Sequence, residues 1–158
     1  MPRYAAETSV STAKSRIEIE ETLAKYGADS FAYATTEGKA MIAFKMSGRQ
    51  ARIMLPLPRA EDFKLTETGK ERSRANQQAA WEQACRQNWR IMLLIIKAKL
   101  EAIEAEVSTF DREFMPDLML PDGRTVGEFM GPQISASYAT GHMPALLPWV
   151  SERSNQNG

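Results

Sequence analysis

With one cysteine and one histidine among 158 residues, this chain has little with which to bind metal or run redox chemistry. The lone Cys85 excludes an intramolecular disulfide and fits a reducing compartment. A catalytic thiol would need a base, and His142 lies in a remote segment, so Cys85 reads as a small buried hydrophobe. Glycine-rich phosphate loops are missing: neither a P-loop nor a dinucleotide fingerprint occurs, and no serine sits in a nucleophile-elbow context. Long apolar runs are missing too, since Ile91 to Ile96 is far short of the ~20 residues that span a bilayer. Met1 to Ser15 is polar and lacks the apolar stretch of a secretory signal. Net charge is absent, 20 basic against 20 acidic side chains, so there is no overall pull toward nucleic acid or an acidic membrane. The expectation is a soluble, cytoplasmic protein with no cofactor, no metal, no membrane partner and no catalysis.

What is present is a pattern for building a core. Hydrophobic residues at 43% and charged residues at 25% suit one globular domain, expected over residues 1–150. From Ala75 to Phe114 no proline interrupts, and the spacing predicts one long helix. Ile91 to Ile96 is apolar on every side, which predicts full burial. Trp89, Leu93, Ile96, Leu100, Ile103, Val107 and Phe110 follow at alternating four- and three-residue steps, the seam of helix-on-helix packing.

Upstream, Ala6 to Val10 reads as a short strand, and Ser11 or Thr12 caps an amphipathic helix that starts at Ala13 and ends at Tyr26-Gly27. Three period-2 segments then surround turns at Glu37-Gly38 and Ser47-Gly48 and stop at Pro56 and Pro58, predicting an antiparallel meander. Residues 59–74 form a polar connector of a length that marks either function or disorder. Downstream, Pro121-Asp122-Gly123 is a turn, and Thr125 caps a last helix with Val126, Phe129, Met130, Ile134 and Tyr138 on one face. Pro132 predicts a late start or a kink, Gly141 the end. Met143 to Trp149 suits an apolar strap, and residues 151–158 a disordered tail. The fold class is therefore α+β: a three- or four-stranded antiparallel sheet packed against an N-terminal helix and a long central helix, with a small C-terminal helix. Its expected core is Ile17, Leu23, Phe31, Ile42, Phe44, Ile53, Leu55, Trp89, Leu93, Ile96, Leu100, Ile103 and Phe129.

Chemistry has few candidates. Glu113, Asp117, Asp122 and Glu128 would hold magnesium only if they converge; as turn and cap residues they need no metal. Asp29 with Glu37-Gly38-Lys39 has the letters of a carboxylate-plus-lysine nuclease, but Glu37-Gly38 is also an ordinary hairpin turn. Charge is more suggestive. Between Glu82 and Glu101 the central helix carries Arg86, Arg90, Lys97 and Lys99 and no acid; Glu101, Glu104 and Glu106 follow, against the macrodipole preference. These side chains read in three ways. They are solvated faces paired with neighbours; or Arg49, Arg52, Arg86, Arg90 and Lys97 track phosphates of DNA or RNA, with Trp81, Trp89, Phe31 or Tyr33 stacking bases; or two central helices pair antiparallel in a homodimer, basic half against acidic half.

The segments AAETSVSTAKSRIEIEETLAKYGADSFAYA, RIMLPLP, AAWEQACRQNWRIMLLIIKAKLEAIEAEVSTFDREF and LPDGRTVGEFMGPQI, in this order, cover most of the chain. Together they resemble a widespread family of small tailed-bacteriophage and prophage proteins without assigned activity. The resemblance implies a phage product acting in bacterial cytoplasm. It assigns no activity; a phage setting favours handling of nucleic acid in recombination, replication or regulation, or alternatively a protein-interaction factor that binds or inhibits a host or defence protein.

Overall fold

The computed structural model describes residues 11–143. The side chain of Ser11 accepts a hydrogen bond from the Lys14 amide and caps α1 (Thr12–Lys25), which ends at Tyr26. Gly27 follows at φ 101°, a left-handed conformation that favours glycine. Ser15, Ile19 and Leu23 stand at four-residue steps and face the core. Ile17 is set about 200° round the helix from Ser15 and is half exposed, so the core takes Ile19 instead of the expected Ile17.

The meander forms as its turns dictate: β1 (Ser30–Thr36), β2 (Lys39–Met46) and β3 (Arg49–Pro56) lie antiparallel in sequence order. Ser47 and Gly48 both have positive φ, the backbone that joins twisted strands through two residues. Register pairs Phe31 with Phe44, Ile42 with Ile53 and Ala40 with Leu55. One face therefore carries Ala40, Ile42, Phe44, Met46, Ala51, Ile53 and Leu55, all buried. The opposite face presents Ala32, Ala43 and Arg52 in one row and Ala34, Met41 and Met54 in the next.

The connector is a built loop. Ala60–Phe63 form a 3-10 turn, Leu65 bridges Glu71, and the Arg72 guanidinium donates to the Phe63 and Leu65 carbonyls. Trp81 and Gln77 fasten this loop to the next helix by donating to the carbonyls of Pro58 and Ala60.

Ser73 caps that helix, α2 (Arg74–Glu104), which packs along α1 and buries Cys85, Trp89, Met92, Leu93, Ile96 and Leu100. Two sequence expectations are corrected here. First, Ile91 to Ile96 is not enclosed: Leu94 and Ile95 are 43% and 41% exposed, because the sheet and α1 cover only part of the circumference. Second, α2 stops ten residues short of Phe114. The Val107 amide donates to the Ala102 carbonyl and the Glu106 amide to the Ile103 carbonyl, with Glu106 at φ 57°. This is a left-handed helix stop with a glutamate in the place glycine usually takes. Thr109 then caps α3 (Phe110–Phe114).

The break has a packing reason. Turning the chain lays Phe110 and Phe114 edge-on against Phe44, with ring centroids 6.4 and 5.5 Å away and interplanar angles of 88° and 81°. Val107, expected in the seam, sits in the stop and is exposed. Phe31, Ile103 and Phe129 are only partly buried, while Met46, Met92 and Phe114 join the core.

After a 3-10 turn at Met115–Asp117, Leu118 bridges Ala51 and the Met119 amide donates to the Gln50 carbonyl, covering part of the free edge of β3. α4 (Val126–Thr140) starts at Thr125 and runs unbroken through Pro132. The architecture is α+β, a three-stranded antiparallel sheet with an N-terminal, a long central and a small C-terminal helix. The strand expected at Ala6 to Val10, the strap beyond Met143 and the tail at 151–158 lie outside the described residues.

Candidate functional site

The five cations expected to track phosphates divide between two elements. Arg49 and Arg52 are on β3, and Arg86, Arg90 and Lys97 are on α2. Four of them meet acids of this same chain. Arg49 reaches Asp111 at 3.2 Å, Arg52 grips both carboxylate oxygens of Glu128 at 3.0 and 2.8 Å, and Arg90 meets Glu18 at 3.0 Å, with Lys97 4.0 Å from the same carboxylate. Arg86 donates to the neutral Gln83. Three of the four aromatic candidates for base stacking pack on the core: Trp89 is buried against Tyr33, whose ring also lies under the Arg16 guanidinium 4.4 Å away. Phe31 packs on the core, and Trp81 is bound to the Pro58 carbonyl.

The acids separate in the same way. Asp29 precedes β1 and Glu37 follows it, so a strand of seven residues, about 23 Å, stands between them. Glu113 accepts from Ser108, Asp122 binds Arg124 and Glu128 binds Arg52. No group of three or more His, Cys, Asp or Glu side chains gathers among the described residues. Burial, with Glu82 nearby, pushes the Cys85 thiol above its ordinary pKa, the opposite of what a nucleophile needs. No described helix is long and apolar enough to cross a membrane.

The feature that stands out is α4. Its first turn is fixed from several directions. The Thr125 hydroxyl accepts from the Glu128 amide at 3.1 Å, and Glu128 accepts in return from the Thr125 amide at 2.9 Å, a reciprocal cap. That amide, with Arg52 beside it, holds the Glu128 carboxyl below the usual range. Gly127 lies so close to the preceding turn that a Cβ there would sit 2.9 Å from the Pro116 carbonyl oxygen. The Arg124 guanidinium lies 4.9 Å from the centre of the Phe129 ring.

Beyond this base the helix buries no residue against the described part of the molecule. Met130, Ile134 and Tyr138, one turn apart in succession, lie along one side with Met143; Tyr138 is 89% exposed. They edge a shallow groove with Gln133 and Ser137. From Phe129 through Met143 no Asp, Glu, Lys or Arg occurs, although the chain as a whole is 25% charged. Sequence reasoning found the apolar stripe and placed only its Phe129 in the core; the missing charge on the remaining faces was the further signal that the rest stays open.

Comparison with protein-family profiles, with curated proteins and with solved structures finds no match. The fold and the α4 surface are therefore the ground on which function is read.

Proposed function

We propose that this protein is a non-enzymatic interaction factor that docks on another protein through α4. One observation carries the reading: a helix fixed at its base presents an apolar stripe to solvent and has no charged side chain from Phe129 to Met143. A helix meant to remain in water normally carries charge on its open side, and an exposed apolar stripe at four-residue spacing is what helix-in-groove recognition uses. The partner would present an apolar cleft with few charges of its own. Given the resemblance to phage proteins, a bacterial host or defence protein in the cytoplasm is the class to search. The nucleic-acid reading has less support, because four of its five cations are engaged by acids and three of its four aromatic side chains pack on the core.

The test is affinity capture from nuclease-treated cells, followed by titration with each purified captured protein. Tyr138→Ala should weaken binding by about 30-fold or more, as truncating an aromatic anchor by ~2 kcal/mol does. Binding that survives both Tyr138→Ala and Ile134→Glu would rule out α4. Tight, steeply salt-dependent binding of oligonucleotides would return the reading to DNA or RNA.

A further inference from the structure

We infer that the outward side of α2, half-buried at Ala80, Ala84, Gln87 and Ile91 and exposed at Leu94, Ile95 and Ala98, pairs antiparallel with the same side of a second copy of this chain. The surface differs from α4, and the inference does not depend on the function proposed above. Ala80, Ala84, Gln87, Ile91, Leu94 and Ala98 advance by four, three, four, three and four residues, a second heptad seam on the side of the helix away from Trp89 and Ile96. Ile95 lies beside its middle, and Ala102 and Ala105 extend it to the end of the helix. The strip is roughly 100° wide and contains no charged side chain.

Polar side chains bordering the strip are tied back to their own molecule. On one flank Arg90 and Lys97 reach Glu18 of α1, and Glu101 accepts from the Tyr26 hydroxyl. On the other, Trp81, Asn88 and Lys99 donate to the carbonyls of Pro58, Pro56 and Glu113. Leu94 and Ile95 are left more than 40% exposed between these two anchored borders.

Direction follows from size and charge. The largest side chains, Ile91, Leu94 and Ile95, are central, with alanines toward both ends. A two-fold axis beside Leu94 and Ile95 packs these large side chains on one another. It also sets the Arg86–Arg90 turn of one copy across from the Glu101–Glu104 turn of the other, a second, longer-range contact for side chains that already bond Gln83, Glu18 and Tyr26 within their own chain. Parallel pairing would place cations against cations and acids against acids.

From Ala80 to Ala105 the strip is about 38 Å long and about 10 Å wide, so a pair covers roughly 800 Å² in total. That falls short of the ~1,000 Å² of a stable specific interface and implies a weak, transient, concentration-dependent dimer.

Sedimentation velocity between about 1 and 200 µM tests this. Wild-type protein should pass from monomer to dimer within that range, Leu94→Glu should stay monomeric with an unchanged circular dichroism spectrum, and Ile134→Glu should dimerise like wild type. Mild oxidation of Leu94→Cys, next to the axis, should give a covalent dimer, while Ala84→Cys should not, because antiparallel pairing carries its two copies far apart. Wild-type protein that is monomeric at 200 µM, a Leu94→Glu dimer, loss of the dimer in Ile134→Glu, or an Ala84→Cys cross-link would overturn the inference.

Discussion

Replacing Phe114 with alanine tests whether the turn after α2 is there to complete the core. Phe114 is fully buried, its ring 5.5 Å from Phe44 and 5.0 Å from Phe110, with the Lys99 ammonium 5.2 Å from its centroid. Emptying such a site removes the transfer free energy of the ring and leaves a cavity, about 3–5 kcal/mol together. For a chain of 158 residues that corresponds to a fall in Tm of roughly 6–20 °C, at ~2–4 °C per kcal/mol. Urea unfolding followed by tryptophan fluorescence and far-ultraviolet circular dichroism should show the midpoint falling by about 1–2 M with an unchanged slope. Measurements near 1 µM keep self-association out of the comparison. The internal control is Tyr138→Ala, a truncation of similar size at an 89% exposed position, which should change stability by less than about 0.5 kcal/mol. A loss below about 1 kcal/mol for Phe114→Ala, or equal losses for the two variants, would refute the assignment of α3 to the core and of α4 to the surface.

Two further outcomes follow from the base of α4. Gly127→Ala brings a methyl group to 2.9 Å from the Pro116 carbonyl oxygen, so despite alanine's better helix propensity the variant should lose about 1–2 kcal/mol in urea unfolding; a gain would show that the approach is not tight. Glu128 has a folded pKa held below its ordinary value, first by the Thr125 amide and then by Arg52. Its ionised form therefore contributes stability that is present above the unfolded value of about 4.5 and is lost as pH falls through the depressed folded value. Glu128→Gln should be less stable than wild type at pH 7 and converge with it as acid protonates Glu128, and a gap that does not change with pH would contradict this.

Much of the fold was legible because the signals are local. Ser11, Ser73 and Thr125 accept from amides three residues on, and Gly38 and Gly48 supply positive φ at the hairpin turns, so the chain announces these boundaries without reference to anything distant. Alternation in β2 and β3 likewise assigns Ile42, Phe44, Ile53 and Leu55 to one face, because side chains switch sides at every residue.

The end of α2 was written less plainly. The four-three spacing continues through Val107 and Phe110, while the stop depends on a glutamate in a glycine-like conformation and on the pull of Phe44. Burial at Ile17 against Ile19, or at Leu94 and Ile95 against Leu93 and Ile96, is set by where the sheet and α1 lie, and composition alone cannot rank chemically equal neighbours.

Charge pairing is the clearest case of what tertiary structure decides. Arg49, Arg52 and Arg90 find Asp111, Glu128 and Glu18 at separations of 62, 76 and 72 residues, which no local spacing encodes. The sequence by itself determined where α1, α2 and α4 start, to within a residue or two, and the meander and its inward face, because those rest on contacts within a few residues. Only the closed fold decided that the cations are engaged and that α4 and one side of α2 stay open, because exposure is the surface left over once distant elements have packed.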